Sequence, residues 1–182
     1  MPLFSYIALK EKRCIKIKRI FILCLVFCFF ALPSCAERKP ASCREVLLAL
    51  IDSEIGLPAG KIYDLNAPEG NSEYIDERVI SSLFWEGSAP PMRSGWLDMA
   101  LFLSTSDHPC ELAVFLCDSP DTASDTARIL CQRLDVIRTA KAKTEHSAML
   151  DAATVTVIGN YVLLVISSDT DNSIKIARSL IK

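Results

Sequence analysis

The stretch that decides the fold is ATVTVIGNYVLLVIS, residues 153–167, in which two segments rich in β-branched residues are separated only by Gly159-Asn160. Glycine in the first place of a two-residue loop is typical of a type II′ hairpin, and that loop places Ile158 opposite Tyr161. One face of the hairpin then carries the apolar side chains Val155, Val157, Val162, Leu164 and Ile166. Thr154 and Thr156 lie on the other face, so we expect water to reach it at least partly.

Further strands and helices are predicted on either side of this hairpin. Met99–Ser104 and Glu111–Cys117 are apolar runs of strand length. Ser119-Pro120-Asp121 is a strong helix start, with a capping hydroxyl, proline in the first turn and an acid at the positive end of the dipole. The apolar stripe that follows predicts a helix through Ile137, and the last helix is predicted at Asp171–Ile181.

Two more helices are predicted before the first strand. Cys43–Ile55 has apolar residues at helical spacing after Ser42, and Gly56, Pro58 and Gly60 close it; a second helix capped by Asn71 or Ser72 runs through Phe84. The predicted fold class is therefore α+β. We expect a single domain with a four-stranded, mainly antiparallel sheet in a repeated ββα order, helices packed on one face, and two helices before it. The patterns do not determine the strand order.

A targeting segment precedes the predicted domain. The basic run Lys10–Arg19 is followed by Ile20–Leu32 (IFILCLVFCFFAL), thirteen uncharged apolar residues. This is the layout of a secretory signal peptide, and thirteen residues fall short of the roughly 20 that a bilayer-spanning helix needs. Because the basic flank stays in the cytoplasm, the rest of the chain is directed outward.

The four residues Leu32-Pro33-Ser34-Cys35, directly after the apolar run, resemble the lipobox of bacterial lipoproteins. The resemblance implies a lipoprotein signal peptide at residues 1–34, a tether at 35–41 and the folded domain at 42–182. Cys35 is then the lipid attachment residue, and its partners are membrane lipid and fatty acyl chains such as palmitate. The expected location is the extracytoplasmic face of the bacterial cytoplasmic membrane. An uncleaved signal anchor and a soluble secreted form cut without lipid remain as alternatives.

The charge of the chain is divided unevenly between leader and body. Residues 1–34 carry six of the 20 bases and one of the 22 acids, which leaves residues 35–182 with a formal charge of −7. A nucleic-acid-binding domain would show a basic face. We therefore expect no nucleic-acid partner.

Three motifs behind this leader carry a family resemblance: ELAVFLC (111–117), ILCQRLD (129–135) and VIGNYVLLVIS (157–167). In order and spacing they resemble the domain of unknown function 4358, a family of uncharacterised lipoproteins of Gram-positive bacteria. The resemblance covers roughly residues 61–182 and implies a lipoprotein with one folded domain. It implies no catalytic residues, and it gives Glu111, Arg133 and Tyr161 structural roles.

The residues that could bind metal or form disulfides are few. Asp107 and His108 lie near Cys110, Glu111 and Cys117, but a structural zinc site usually needs tight Cys or His pairs, so we predict no metal site. An extended strand separates Cys110 from Cys117 and argues against a disulfide between them. Export leaves other pairings open among the four cysteines Cys43, Cys110, Cys117 and Cys131. Cys131 flanks the apolar helix stripe and is expected to be a buried free thiol.

Two functional hypotheses of different classes follow. The first is a non-enzymatic, lipid-tethered module without a cofactor that binds an envelope protein or a cell-wall component; Trp85 and Trp96 are candidates for its binding surface, or else cover the edge of the core. The second is an envelope hydrolase with an unrecognised site near His108 and Glu111. Its base would be His108 or His146, but His146 lies in a polar link that favours a solvated role, and no G-x-S-x-G motif occurs.

Overall fold

Helices and five β-strands make up the part of the chain that the computed structural model describes, which is residues 40–84, 95–141 and 144–181. These residues belong to one compact unit, Pro40–Lys182. In chain order the elements are α1 (Cys43–Ser53), β1 (Gly60–Asp64), α2 (Glu77–Phe84), β2 (Trp96–Ser104), β3 (Glu111–Cys117), α3 (Pro120–Lys141), α4 (Ser147–Ala152), β4 (Thr154–Ile158), β5 (Tyr161–Ile166) and α5 (Thr170–Leu180). The fold class is α+β. Among the described helices, none is both long and apolar enough to cross a membrane.

The strands form one antiparallel sheet in the order β1-β2-β3-β5-β4. The register predicted for the last hairpin is confirmed, with Ile158 opposite Tyr161 and Val155 opposite Leu164. Gly159 has a φ of 58°, whereas no described non-glycine residue has a positive φ, so Asn160 does not. A positive φ at the first turn position alone is the signature of type II′. Local turn chemistry therefore accounts for this pairing.

The predicted count of four strands is wrong, because β1 adds a fifth at the edge of the sheet. Gly60, interpreted from the sequence as a helix terminator, is instead the first residue of β1 and pairs with Ser104. A side chain at Gly60 would collide with the ring of Phe102 and the carbonyl of Leu103, so glycine is needed for this close approach. The prediction of two helices before the first strand is also wrong, because β1 lies between α1 and α2. The order is not a plain ββα repeat either, since α4 lies between α3 and β4.

The prediction that helices pack on one face of the sheet is also wrong. Helices α2 and α3 cover the face that carries Val162 and Leu164, and α1 and α5 cover the face that carries Leu163 and Val165. All of β5 is buried as a result. Water reaches the sheet at its edge strand β4, where Val157 is 47% exposed. Continuous apolar runs such as those of β3 and β5 are typical of strands buried on both faces.

The predicted helix starts are confirmed where the sequence offers one clear capping residue. Ser42 caps α1 in a capping box with Glu45, and Ser119 accepts the backbone N–H of Thr122 at the start of α3. The predicted caps of α2, Asn71 or Ser72, are wrong. That helix begins later, where Asp76 accepts the N–H of Val79 at 2.8 Å.

The two ends of the sheet carry different parts of the chain. One end, which we call the Gly159 end, holds the β4–β5 turn and the pair formed by Trp96 and Cys117. The other, which we call the His108 end, holds the connection between Ser104 and Glu111. Because β3 has seven residues, each rising about 3.3 Å, the ends lie about 20 Å apart.

Candidate functional site

A polar cleft opens at the His108 end of the sheet, between the β2–β3 connection and α3. Its volume is about 340 Å³. Three aliphatic side chains, Leu83, Leu103 and Ile137, contribute to its wall. Its polar lining includes Ser106, Asp107, His108, Glu111, Arg133 and Lys141. We call this site the His108 cleft.

A buried ion pair forms one part of the cleft. Glu111 begins β3 on the face covered by α3, and Arg133 of α3 lies over it. The guanidinium donates from Nε to both carboxylate oxygens at 3.3 Å, and from Nη2 to Oε2 at 2.9 Å. The Glu111 side chain is 4% exposed and the Arg133 side chain is 20% exposed. Burial raises the pKa of Glu111, and the charge and hydrogen bonds of Arg133 oppose that rise.

A second ion pair, more open to water, lies at the rim. Lys141 ends α3 and donates to the carboxylate of Asp107 in the β2–β3 connection. This hydrogen bond, followed by the charge of Lys141, holds the pKa of Asp107 below its ordinary value. The Asp107 side chain is almost fully exposed, so the pair itself adds little to stability.

The histidines of the chain meet at this rim. The ring centroids of His108 and His146 are 4.4 Å apart with an interplanar angle of 57°. Nδ1 of His108 accepts the backbone N–H of Cys110 at 3.2 Å. The pKa of His108 is lowered, first by burial and then by the charge of His146, while Glu145 acts in the opposite direction. A second cleft of about 380 Å³ adjoins and shares His108.

The arrangement offers hydrogen-bond donors and fixed charges rather than an assembled nucleophile. Ser104 and Ser106 bond to each other at 2.8 Å, and no serine hydroxyl of the described residues bonds to either histidine ring. Within residues 40–84, 95–141 and 144–181, no three His, Cys, Asp or Glu side chains are placed to share a metal ion. The cleft is thus suited to holding a polar ligand.

Of the two tryptophans predicted as candidates for a binding surface, the structure describes only Trp96. Trp85 lies outside the described residues, and so does Cys35 with the predicted signal peptide and most of the tether. Trp96 is 7% exposed. Its indole N–H donates to Thr126 at 2.8 Å, and its ring packs edge-on against Phe115 with centroids 4.7 Å apart. The structure therefore places Trp96 in the core.

The four cysteines of the folded region are free thiols. Cys110 and Cys117 lie at opposite ends of β3, as the extended strand predicted. The prediction that Cys131 is buried is wrong, because its side chain is exposed on α3. Its position beside the apolar stripe falls on the solvent side once α3 packs on the sheet.

The residues that sequence reasoning undervalued are His146, Arg133 and Lys141. Each is far along the chain from the residues it contacts. The resemblance treated Arg133 as a helix-face residue, and His146 was predicted to be solvated. A partial signal was present, since His108 and Glu111 are the residues of the alternative site and the second half of α3 carries Arg133, Arg138 and Lys141.

Comparisons with known proteins give no information about this site. No family model, curated protein or solved structure is matched by this chain. The resemblance to the domain of unknown function 4358 stays a prediction.

Proposed function

We propose that this chain is a lipid-anchored protein of the outer face of the bacterial cytoplasmic membrane, whose folded domain binds an envelope protein or a cell-wall component through the His108 cleft. The observation that carries the proposal is Leu32–Cys35, placed directly after a basic run and thirteen apolar residues. This layout is the one that lipoprotein processing requires, and it sends the folded domain outside the cell.

The start of the fold is consistent with a short tether. The hydroxyl of Tyr161 donates to the carbonyl of Ala41 at 2.6 Å, and Ser42 caps α1 immediately afterwards. Ala41 is the sixth residue after Cys35. Six residues span at most about 21 Å. A lipid on Cys35 would therefore be joined to the fold at the Gly159 end, where Tyr161 lies.

The cleft lies at the end of the sheet opposite Tyr161. Tyr161 and Glu111 lie at opposite ends of the paired strands β3 and β5, because Glu111 pairs with Ile166 at the far end of β5. That separation is about 20 Å. The proposed binding site is therefore separate from the end at which the predicted tether enters the fold.

The anchor is tested by replacing the attachment residue. We expect Cys35→Ser to leave the membrane fraction and to lose incorporation of labelled fatty acid, since it lacks the thiol that takes the lipid. Cys131→Ser is the matched control, because it removes an exposed thiol outside the motif. Equal fractionation of Cys35→Ser and wild type would contradict the anchor.

The binding role is tested by crosslinking in intact cells. A photoreactive residue at Ser106, on the cleft, is expected to form an adduct with an envelope component. The same residue at Asn160, on the Gly159 end, is the control and is expected to form none. Adducts that form equally from both positions would refute the assignment of binding to the cleft.

The alternative, an envelope hydrolase near His108 and Glu111, separates from binding by mutation. Both oxygens of Glu111 face Arg133 and Nδ1 of His108 faces a backbone N–H, so neither group is poised as a base. We expect a variant with His108→Ala and His146→Ala to show reduced but still measurable crosslinking from Ser106, because Arg133 and Lys141 remain in the cleft lining. A hydrolase would lose its activity in that variant.

A further inference from the structure

We infer that the His108 cleft binds a carboxylate that carries an adjacent apolar group, with Arg133 as its anchor. The inference rests on the proposed function in one respect, that the cleft is a binding site. It adds the chemical class of the ligand and the residues that would recognise it.

One edge of the Arg133 guanidinium is held by Glu111, and the other edge has no partner among the described residues. Glu111 accepts from Nε and Nη2, and no described residue accepts a hydrogen bond from Nη1. Arg133 also lines the cleft. A guanidinium carries five N–H donors in a rigid plane, so the open edge can bind a carboxylate through two parallel bonds. Because Glu111 already fixes the plane, a ligand does not have to order this side chain.

Two further donors line the same cleft. Nδ1 of His108 accepts the N–H of Cys110, so the neutral ring carries its proton on Nε2 as a donor. Among the described residues, Lys141 is paired only with Asp107, whose side chain is 96% exposed. Surface ion pairs of this kind contribute little. A ligand anion can therefore replace Asp107 as the partner of Lys141 at a small cost in free energy, and the Asp107 carboxylate is then hydrated.

The charge balance of the described lining argues against a multiply charged anion. Asp107 and Glu111 balance Arg133 and Lys141, so these four charged residues of the described lining sum to zero. Glu145 adds a negative charge next to the histidines. A monoanion is thus accommodated better than a dianion such as phosphate.

The apolar wall and the volume of the cleft limit the size and the polarity of the rest of the ligand. Leu83, Leu103 and Ile137 give the cleft an aliphatic side. Its volume of about 340 Å³ lies at the low end of the range for ligand sites, which is roughly 300–1,000 Å³. This suits one amino-acid-sized group. The carboxylate could come from a free small acid or from the C-terminus of a peptide, which share this chemistry.

The test uses the full chain in detergent with isotope-labelled leucine and isoleucine methyl groups. The probes are N-acetyl-leucine, its uncharged amide N-acetyl-leucinamide, an acetylated tripeptide ending in leucine, and inorganic phosphate. We expect the two carboxylates to shift the methyl signals of Leu83, Leu103 and Ile137. The amide should bind at least about tenfold more weakly, because it lacks the charge-assisted bonds. A tripeptide that binds more tightly than N-acetyl-leucine assigns the ligand to peptide C-termini, and equal binding assigns it to free acids.

Two variants tie the binding to these residues. Lys141→Gln changes an exposed pair and is expected to weaken binding of N-acetyl-leucine several-fold. The double variant Glu111→Gln with Arg133→Gln removes the anchor without leaving a buried charge unpaired, and binding should fall by at least about tenfold. Arg128→Gln, on the solvent side of α3, is the control.

In the measurements with the probes, any of three results overturns the inference. These are equal binding of acid and amide, tighter binding of phosphate than of either carboxylate, or no methyl shift with any probe up to about 10 mM. Unchanged binding in both variants would overturn it as well. Because binding is measured in detergent, it does not depend on Cys35. Failure of the anchor in cell fractionation and failure of the ligand class are therefore distinguishable.

Discussion

Replacing Arg133 with methionine removes the partner of the buried carboxylate of Glu111. The wild-type pair has three N–H···O contacts between 2.9 and 3.3 Å. Methionine keeps the length and the helix propensity of the side chain, so the change acts on the charge. Glu111 is then left as a buried anion beside apolar side chains.

Breaking a buried ion pair from one side costs about 3–5 kcal/mol of unfolding free energy. Because Arg133 is 20% exposed, water partly reaches the vacated space, and we expect a loss of about 3 kcal/mol at neutral pH. Burial already raises the pKa of Glu111 in the wild type, and loss of the cation raises it further. The folded variant then holds that proton more tightly than the unfolded chain does. Its unfolding free energy should therefore rise as the pH falls toward the ordinary pKa of a glutamate, about 4.3.

The assay is urea unfolding followed by tryptophan fluorescence, since Trp96 is buried in the core. The double variant Arg133→Met with Glu111→Met should lie within about 1 kcal/mol of wild type, because neither a buried charge nor an unpaired buried polar group remains. Arg128→Met removes an exposed pair on the same helix and should cost less than about 0.5 kcal/mol. A double variant as unstable as Arg133→Met alone would refute the reasoning, and so would a pH-independent loss.

Four further predictions concern other parts of the fold. Asp98→Ala removes the acceptor of the Cys43 N–H at 2.7 Å, and thermal unfolding should show a loss of about 2 kcal/mol, mostly from α1. Gly159→Ala places a side chain at a φ of 58° and should cost about 1 kcal/mol, with Gly159→Asn costing less; an equal cost would contradict the strain. The pKa of His108 is lowered by folding, so stability should fall as the pH drops through about 6.5, and His108→Gln should flatten that step in a urea series. Cys131 is exposed and should react with a thiol reagent before Cys43 does; the reverse order would refute its placement.

Local patterns were enough for the elements whose cause is local. The β4–β5 register follows from a two-residue turn, and the start of α3 follows from a hydroxyl cap with proline behind it. These features need only neighbours within a few residues, and such interactions are written directly in the order of the side chains. The signal peptide and Cys35 belong to the same class, although they remain predictions.

The fifth strand shows where local patterns stop. Gly60–Asp64 contains glycine and charged residues, and its strand conformation comes from pairing with β2, more than 35 residues later. Burial on both faces was also missed, because an apolar strand does not say which helices cover it. Cys131 was misplaced for the same reason: the orientation of α3 on the sheet decides which side of the stripe meets water.

What the sequence by itself determined is therefore the α+β class, the hairpin register and the caps of α1 and α3, each set by contacts between close neighbours. The His108 cleft forms only through the tertiary structure. It joins Glu111 to Arg133 across 22 residues, and it brings His146 from another connection against His108. Such pairs form only when strands and helices pack together, since the free energy that closes the intervening chain comes from burying the whole core.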